Sequence, residues 1–445
     1  MSELASKARK STTSDDLPDC ILHNILEFMP IQDAARTSVL SKKWIPIWST
    51  LPYLVFGPLF FQYVSNIGAS AATVIHKILM QHTGNIMGFH LISSTCKLAQ
   101  SDVDQCIIFV SEHGIQKLTL DMANDENYLL PDRIFTCATL TQLKLSRCVF
   151  KLPGGTQYPN LISLQLEHSK IADHRGSEDT LNLSMLENLE LRFCVGVDFV
   201  NLVCPKLDNM SIVSSYTITF ECSNVNPIFA RIKHLCLNGT SLEELQTVYM
   251  KEMLRRPLKL QSLKIFDFKI SVESISCTFY LLRNSPNLHE IEIDEVVKVD
   301  ETLKDSTKLL FYLSMEEDQV NEALKLIQIV RLRKFKGSST EMYLIRVLIS
   351  HSKTLERMII EQCDNGNATS FEEQLSELLR RTICSDPEVL LFKLLLAKSS
   401  VLERMLIAPL TANDHASKTI TILIVLDLFR HASTEVEIVY NALIW

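Results

Sequence analysis

Residues 161–166 read Leu-Ile-Ser-Leu-Gln-Leu, and residues 186–191 read Leu-Glu-Asn-Leu-Glu-Leu. Both follow one rule: an apolar anchor, two free positions, then two apolar residues separated by one. Strand side chains alternate between faces, so the paired apolar residues share a face and the residue between them points the other way. Working outward, the pattern recurs upstream at Ile86/Phe89/Leu91, Ile115/Leu118/Leu120 and Leu140/Leu143/Leu145. Downstream it returns at Leu207/Met210/Ile212, Ile232/Leu235/Leu237, Leu260/Leu263/Ile265 and Leu288/Ile291/Ile293. Ile327/Val330/Leu332, Leu355/Met358/Ile360 and Leu402/Met405/Ile407 continue it.

The middle anchors Phe89 and Leu118 are 29 residues apart, and the next spacings are 25, 21, 25, 21, 25, 28 and 28 as far as Ile291. Periods in the twenties with this signature indicate leucine-rich repeats. One such unit cannot bury its own apolar face, so neighbours must stack, each adding a strand to a parallel sheet. The expected fold is α/β: an N-terminal helical segment, then a repeat solenoid whose curved parallel sheet is covered by helices and turns.

Later units resemble one another directly. Residues 344–360 (LIRVLISHSKTLERMII) and 391–407 (LFKLLLAKSSVLERMLI) match at an offset of 47 throughout, with Ser352/Ser399, Leu355/Leu402, Glu356/Glu403 and Arg357/Arg404 aligned. FYLLRNSPNLHEIEI (279–293) is a third version: an apolar helical stretch, a polar turn, a strand. Phe371, Leu375, Leu378 and Leu379 recur at helical spacing in 371–381, and Val436, Ile438 and Tyr440 form the last recognisable strand. Residues 420–429 fit a buried helix or strand equally. The acidic stretch 296–324 is expected to be a solvated loop with a helix, or an excursion that meets a partner.

Composition narrows the function. The chain has 445 residues, 47% of them apolar, enough for several domains or a repeat array. A net charge of -8 argues against a general nucleic-acid binder, which needs a basic face. No apolar run reaches the roughly 18 residues of a membrane span. Met1 to Ser14 is polar and unlike a secretory signal; Lys7, Arg9 and Lys10 there read as a solvated tail or a weak nuclear-import signal. The 12 cysteines include no C-x-x-C pair, so reduced thiols in a cytoplasmic or nuclear protein are expected, with no metal and no cofactor.

Ahead of the repeats, residues 15–48 read DDLPDCILHNILEFMPIQDAARTSVLSKKWIPIW. Ile21, Leu22, Ile25, Leu26 and Met29 follow helical spacing behind Asp15, Asp16 and Pro18, and Pro30 ends the run. Asp33 is placed to cap a second helix. Leu40, Trp44 and Trp48 are four apart and form a stripe on a third, which Pro46 is expected to break near Trp44. So short a segment cannot close a core alone. Either it caps the repeats or it buries its apolar surface in a partner.

Leu17-Pro18, Ile21-Leu22, Ile25-Leu26, Met29-Pro30, the run Arg36 to Trp44, and Trp48 closely resemble a plant F-box. With the downstream repeats and the LERMII and LERMLI stretches, nearly the whole chain resembles plant F-box/leucine-rich-repeat proteins with a C-terminal FBD region. That resemblance implies 1–14 as tail, 15–55 as F-box, 56–85 as connector, 86–325 as leucine-rich repeats and 326–445 as FBD-like repeats and cap. It implies a non-catalytic ubiquitin-ligase subunit: the F-box binds a Skp1-type protein tied to a cullin, and the repeats capture a protein substrate. The matching Skp1-binding positions are Leu17, Pro18, Ile21, Leu22, Ile25, Leu26, Pro30, Leu40, Ser41, Trp44 and Trp48, some as F-box core and some as contacts.

The residues between paired anchors should line the face used for capture: Thr119, Lys144, Gln165, Glu190, Ser211, Cys236, Lys264, Glu292 and Arg331. Lys144, Gln165, Glu190, Lys264, Glu292 and Arg331 are the substrate-contact candidates, their mixed charge suiting a protein partner. At Ile359 and Leu406 the column turns apolar, through burial under the C-terminal segment or as an anchor for substrate. No phosphate-binding, zinc-protease or nucleophile-elbow motif is found. His82 with His90, and His168 with His174, lack supporting ligand spacing. The competing function is a repeat scaffold that recruits no ligase.

Overall fold

The computed structural model describes residues 17–39, 42–93, 96–122, 128–150, 158–171, 181–195, 202–213, 229–243, 245, 257–269, 271–297, 324–335, 344, 348, 352, 354–362, 404–408 and 437–440. The chain divides into two units, Met1–Val197 with Asn201–Lys206, and Asp198–Val200 with Leu207–Trp445.

The first unit opens with helices α1 (Asp19–Glu27), α2 (Ile31–Arg36) and α3 (Trp44–Trp48), with a 3-10 turn at Thr37–Val39. Its parallel sheet runs from β1 (Tyr53–Phe56) through β2 (Gly88–Ile92) and β3 (Lys117–Asp121) to strands Gln142–Ser146, Ser163–Glu167 and Asn188–Arg192. The register matches the repeat pattern. Leu54, Phe89, Leu118, Leu143, Leu164 and Leu189 form one column, and Phe56, Leu91, Leu120, Leu145, Leu166 and Leu191 form the next. Both columns are buried.

The sheet therefore begins earlier than residue 86, the expected start of the repeats. β1 alternates Leu54 and Phe56 inward with Tyr53 and Val55 exposed, and buried Leu51 stands three residues before Leu54, so Leu51/Leu54/Phe56 follows the same triplet. The stretch expected to be a connector holds two helices, α4 (Pro58–Asn66) and α5 (Ala71–Gln81), which form the long return from β1 to β2. Ser70 caps α5 by accepting from the Thr73 amide.

The other return segments scale with the repeat period. α6 (Gln100–Glu112) lies between β2 and β3 and buries Val103, Cys106, Ile107 and Val110. The next return shrinks to a 3-10 turn at Asp132–Thr136, burying Ile134 and Phe135. The first anchor of each triplet (Ile86, Ile115, Leu140, Leu161 and Leu186 in this unit) is at most 1% exposed. Full burial of such a side chain contributes about 1.5–3 kcal/mol, which is why the triplet rather than the return segment repeats.

Arg147, His168 and Phe193 stand one position past successive strands with φ of 59, 47 and 51°. Left-handed backbone at non-glycine residues costs about 1–2 kcal/mol each. What it achieves is visible at the following residues. Cys148, Ser169 and Cys194 turn inward, fully or nearly fully buried, and bond the neighbouring backbone. The Ser169 hydroxyl accepts from the Cys148 amide at 3.3 Å and donates to the Glu167 carbonyl at 2.9 Å, while the Cys194 thiol donates to the Leu166 carbonyl at 3.3 Å.

The second unit repeats the arrangement. Strands Asn209–Val213, His234–Asn238, Ser262–Lys269, Glu290–Val297, Ile329–Phe335, Arg357–Gln362, Arg404–Ala408 and Glu437–Tyr440 are parallel neighbours in that order. Asp267, Glu295 and Lys334 take the left-handed position. Helix Val272–Arg283 fills one return, capped by the Ser271 hydroxyl accepting from the Ser274 amide. The helix read at 371–381, the run 420–429, most of the acidic stretch 296–324 and the tail 1–14 lie outside the described residues.

Candidate functional site

Two surfaces are built from residues that the fold does not need. The first belongs to α1–α3. On α1 the apolar residues fall into two rows: Leu22 and Leu26 are buried, while Ile21, Ile25 and Phe28, at spacings of four and three, are exposed. Phe28 is 91% exposed and Val39 87%, extreme values for large apolar side chains. Ile45 on α3 is also exposed.

The buried row packs with Ile31, Ala34, Trp44, Ile47 and Trp48 into the interior of this segment. Of the residues the resemblance pointed to, Leu22, Leu26, Trp44 and Trp48 are core, not surface. Pro18, Ile21 and Ile25 are exposed, Leu17 and Pro30 are half-buried, and Leu40 and Ser41 lie outside the described residues.

Two local expectations are corrected. Pro46 does not break the third helix, which spans Trp44–Trp48. It stands in the first turn, where the amide it lacks would have no intrahelical partner. Asp33 does not cap the second helix, which starts at Ile31; it sits in the first turn and pairs with Arg36 at 3.6 Å. The start of α1 is tied down from elsewhere. Lys43 Nζ donates to the Leu17 carbonyl at 2.7 Å and lies 3.6 Å from Asp19. His23 bridges the Asp19 carbonyl and the Thr50 hydroxyl, both at 3.0 Å.

The second surface is the outward face of the sheet. In the first unit Val55, His90, Thr119, Lys144, Gln165 and Glu190 are register partners in one column. In the second, Ser211, Cys236, Lys264, Glu292, Arg331, Ile359, Leu406 and Val439 form the equivalent column. Each inter-anchor residue taken from the sequence is thus in line with its neighbours. Ile359 is half-buried; the Leu406 side chain lies outside the described residues.

The charges of the second column are largely satisfied within the face. Lys264 Nζ is 2.7 Å from Glu292, which also meets Arg333 at 3.1 Å, and Arg331 pairs with Glu290. Lys334 is 3.3 Å from Asp294 and 3.7 Å from Glu295, carboxylates that push its pKa up. In the first unit Asp121 is paired with Arg147 and Glu190 with Arg192.

Several of the described histidines and cysteines serve the packing of the fold. His82 is buried with Nε2 donating to the Leu51 carbonyl at 2.8 Å, and burial holds its pKa down. His90 faces outward and bonds the Thr119 hydroxyl at 2.9 Å. His168 stacks on Phe193 at 4.9 Å, and His174 lies outside the described residues. Burial pushes the thiols of Cys106, Cys148 and Cys204 up to about 12 and that of Cys194 to about 11. Among the described residues no group of three or more His, Cys, Asp or Glu could hold a metal, and no helix is long and apolar enough to cross a membrane.

Phe28, Val39 and Ile45 are the surface residues that sequence reading missed. For Phe28 the signal was present: it lies seven residues past Ile21, on the same helical row as Ile25.

Residues 14–56 match the F-box domain model, and residues 103–221 match the model described as FBD-associated F-box protein At5g56370, LRR repeats. The chain is similar to the F-box/FBD/LRR-repeat protein At1g13570 of Arabidopsis thaliana, 29% identical over 407 residues, 82% of this chain and 94% of the relative. F-box/LRR-repeat protein 25 of the same plant is 29% identical over 197 residues, 44% of this chain and 72% of the relative. The chain therefore carries an F-box domain followed by leucine-rich repeats of the FBD-associated F-box type.

Proposed function

We propose that this protein is the substrate-recognition adaptor of an SCF-type ubiquitin ligase, acting in the cytoplasm or the nucleus. Its F-box docks on a Skp1-type protein linked to a cullin, and the outward face of its sheets takes a protein substrate. One observation carries the reading. α1 leaves Ile21, Ile25 and Phe28 exposed while Leu22 and Leu26 already fill the interior. A row of large apolar side chains without an internal role is what a permanent partner covers. Burying each would contribute about 1.5–3 kcal/mol to association before its costs.

No bond chemistry is assigned to the chain. Holding a substrate near a charged ubiquitin carrier raises its effective concentration, and that suffices. Lys144, Gln165, Glu190, Lys264, Glu292 and Arg331 are the proposed substrate face, with the mutual pairing of Lys264 and Glu292 reducing what either can offer a partner.

The test is co-purification of the full chain with a co-expressed Skp1-type protein. Ile21→Asp with Ile25→Asp should abolish it and leave the thermal unfolding transition in place. Undiminished association would sink the proposed contact, and absence of association in the unmutated chain would favour a scaffold that recruits no ligase.

A further inference from the structure

Four residues, Ser49 to Pro52, join the end of α3 at Trp48 to the start of β1 at Tyr53. A link this short between a docking segment and a repeat array is where a hinge would form, since a hinge needs only a few residues able to change their backbone angles. Here all four are engaged. The amides of Ser49, Thr50 and Leu51 donate back into α3, to the carbonyls of Ile45, Ile47 and Trp48 at 3.2, 3.4 and 3.3 Å. Three of the carbonyls turn instead to the return between α5 and β2. That of Ser49 accepts from the Thr83 amide at 2.8 Å and the Gly84 amide at 3.4 Å. That of Leu51 accepts from His82 Nε2 at 2.8 Å, and that of Pro52 from the Met87 and Gly88 amides at 2.8 and 2.9 Å.

Thr50 is held from both sides. Its hydroxyl donates to the Pro46 carbonyl at 2.7 Å and lies 3.0 Å from Nε2 of His23 on α1. Gly84 lies against its backbone: a Cβ at Gly84 would stand 2.9 Å from the Thr50 Cα and 3.1 Å from the Thr50 carbonyl oxygen. A residue without a Cβ is what lets the return come this close. Ser49, Leu51 and His82 are buried, so a broken bond here leaves a polar group without water to replace its partner. The stretch expected to be a connector is therefore fastened to the segment it follows, and α1–α3 fall in one compact unit with the first repeats.

We propose that the His82–Gly84 turn is a clamp that holds α1–α3 at one orientation to the outward face of the first unit's sheet, with Gly84 as its positioning residue. The use of the clamp rests on the adaptor reading above: a Skp1-type protein on α1 and a substrate on the outward face are then presented at one set separation. A joint whose span is fixed at the working distance keeps the effective concentration of a held substrate high, and a loose joint dilutes it.

The experiment measures distances in the full chain by pulsed electron paramagnetic resonance, with spin labels on unnatural amino acids so that the natural cysteines stay untouched. One pair spans the joint, Lys42 ahead of α3 and Gln142 on the outward face; a control pair, Gln105 on α6 and Gln142, lies within the repeats. All three positions are exposed. In the unmutated chain the spanning pair should give a single distance as narrow as the control. Gly84→Val, whose side chain meets the Thr50 backbone, should widen the spanning distribution about twofold or more, as a freed hinge does, and leave the control narrow. His82→Leu keeps the bulk, removes the bond to the Leu51 carbonyl, and should widen it less. A spanning distribution broader than the control in the unmutated chain overturns the proposal. So does an unchanged spanning width in either variant whose control stays narrow. Widening of both pairs in both variants also overturns it, because the turn would then be part of the repeat core and not a positioning device. Association with a co-expressed Skp1-type protein is scored separately: its absence in the unmutated chain sinks the ligase reading and leaves the distances readable.

Discussion

Lys43, at the entrance to α3, holds the carbonyl of Leu17, at the entrance to α1, with a 2.7 Å hydrogen bond. One ammonium thus joins the two ends of the F-box motif and satisfies an acceptor just ahead of the first helix. Lys43→Met keeps the aliphatic stem and removes the charge. Charged hydrogen bonds contribute about 1.5–3 kcal/mol, and partial exposure reduces this to about 1 kcal/mol here. The expected outcome is faster amide exchange over the first turn of α1 and a slightly lower unfolding temperature. Unchanged exchange would show that α1 is positioned without this link.

Neighbouring residues on α1 should separate stability from association. Leu26→Ala empties a buried site and should cost about 2–5 kcal/mol. Ile25→Ala, one residue away and exposed, should cost well under 1 kcal/mol yet reduce recovery of a Skp1-type protein. Denaturant titration paired with pull-down reads both quantities. Equal destabilisation by the two variants would refute the two-row description of the helix.

Trp48→Ala should destabilise by about 3–5 kcal/mol, because this indole is 5% exposed and belongs to the interior. Its effect on partner binding should disappear when binding is measured well below the unfolding midpoint. A binding defect in fully folded Trp48→Ala protein would return this residue to the contact surface.

Ser169 tests the inward ladder of the repeats. Its hydroxyl serves the Cys148 amide and the Glu167 carbonyl, both of which Ser169→Ala leaves short of a partner. Leaving a buried group unsatisfied costs about 1–3 kcal/mol. Ser169→Thr retains the hydroxyl and should recover part of the loss if the added methyl is accommodated. A loss below about 0.5 kcal/mol in Ser169→Ala would mean that the turn geometry, not the hydroxyl, holds adjacent repeats together.

Stability should fall in mild acid. His82 and His90 both have pKa values below the ordinary 6.5, chiefly through burial. A folded pKa lower than the unfolded one means that the unfolded chain binds the proton more readily. Their contribution is fully present above pH 6.5 and is lost as pH falls through the folded values. Unfolding midpoints measured from pH 7.5 down to 5 should decline, and His82→Gln, which can still donate to the Leu51 carbonyl, should flatten the decline. A profile that is unchanged by this substitution would remove His82 as a cause.

The repeat architecture was legible because it depends on a local rule. Every anchor pair read from the sequence stands in a parallel strand, and within each unit the registers align the pairs without a slip, in the second as far as Leu332. A one-residue shift would turn each apolar column outward, so burial itself enforces the register. The first strand was open to the same reading, since Leu51/Leu54/Phe56 follows the triplet rule, but it directly succeeds the helical segment and was not assigned to the repeats.

The amino-acid order by itself determined which residues are apolar, how they are spaced, and therefore that parallel strands stack with one face inward. It also determined the F-box motif as an ordered set of residues. It could not sort that set. Ile21, Leu22, Ile25 and Leu26 wrap around more than one side of α1, and which side is buried depends on where α2, α3 and β1 come to rest. Nor could it say which outward charges meet. Lys264 meets Glu292 and Arg147 meets Asp121 across strands that are distant in sequence. Local periodicity sets the strands; the neighbours that close each core and neutralise each charge are set only when remote segments are brought side by side.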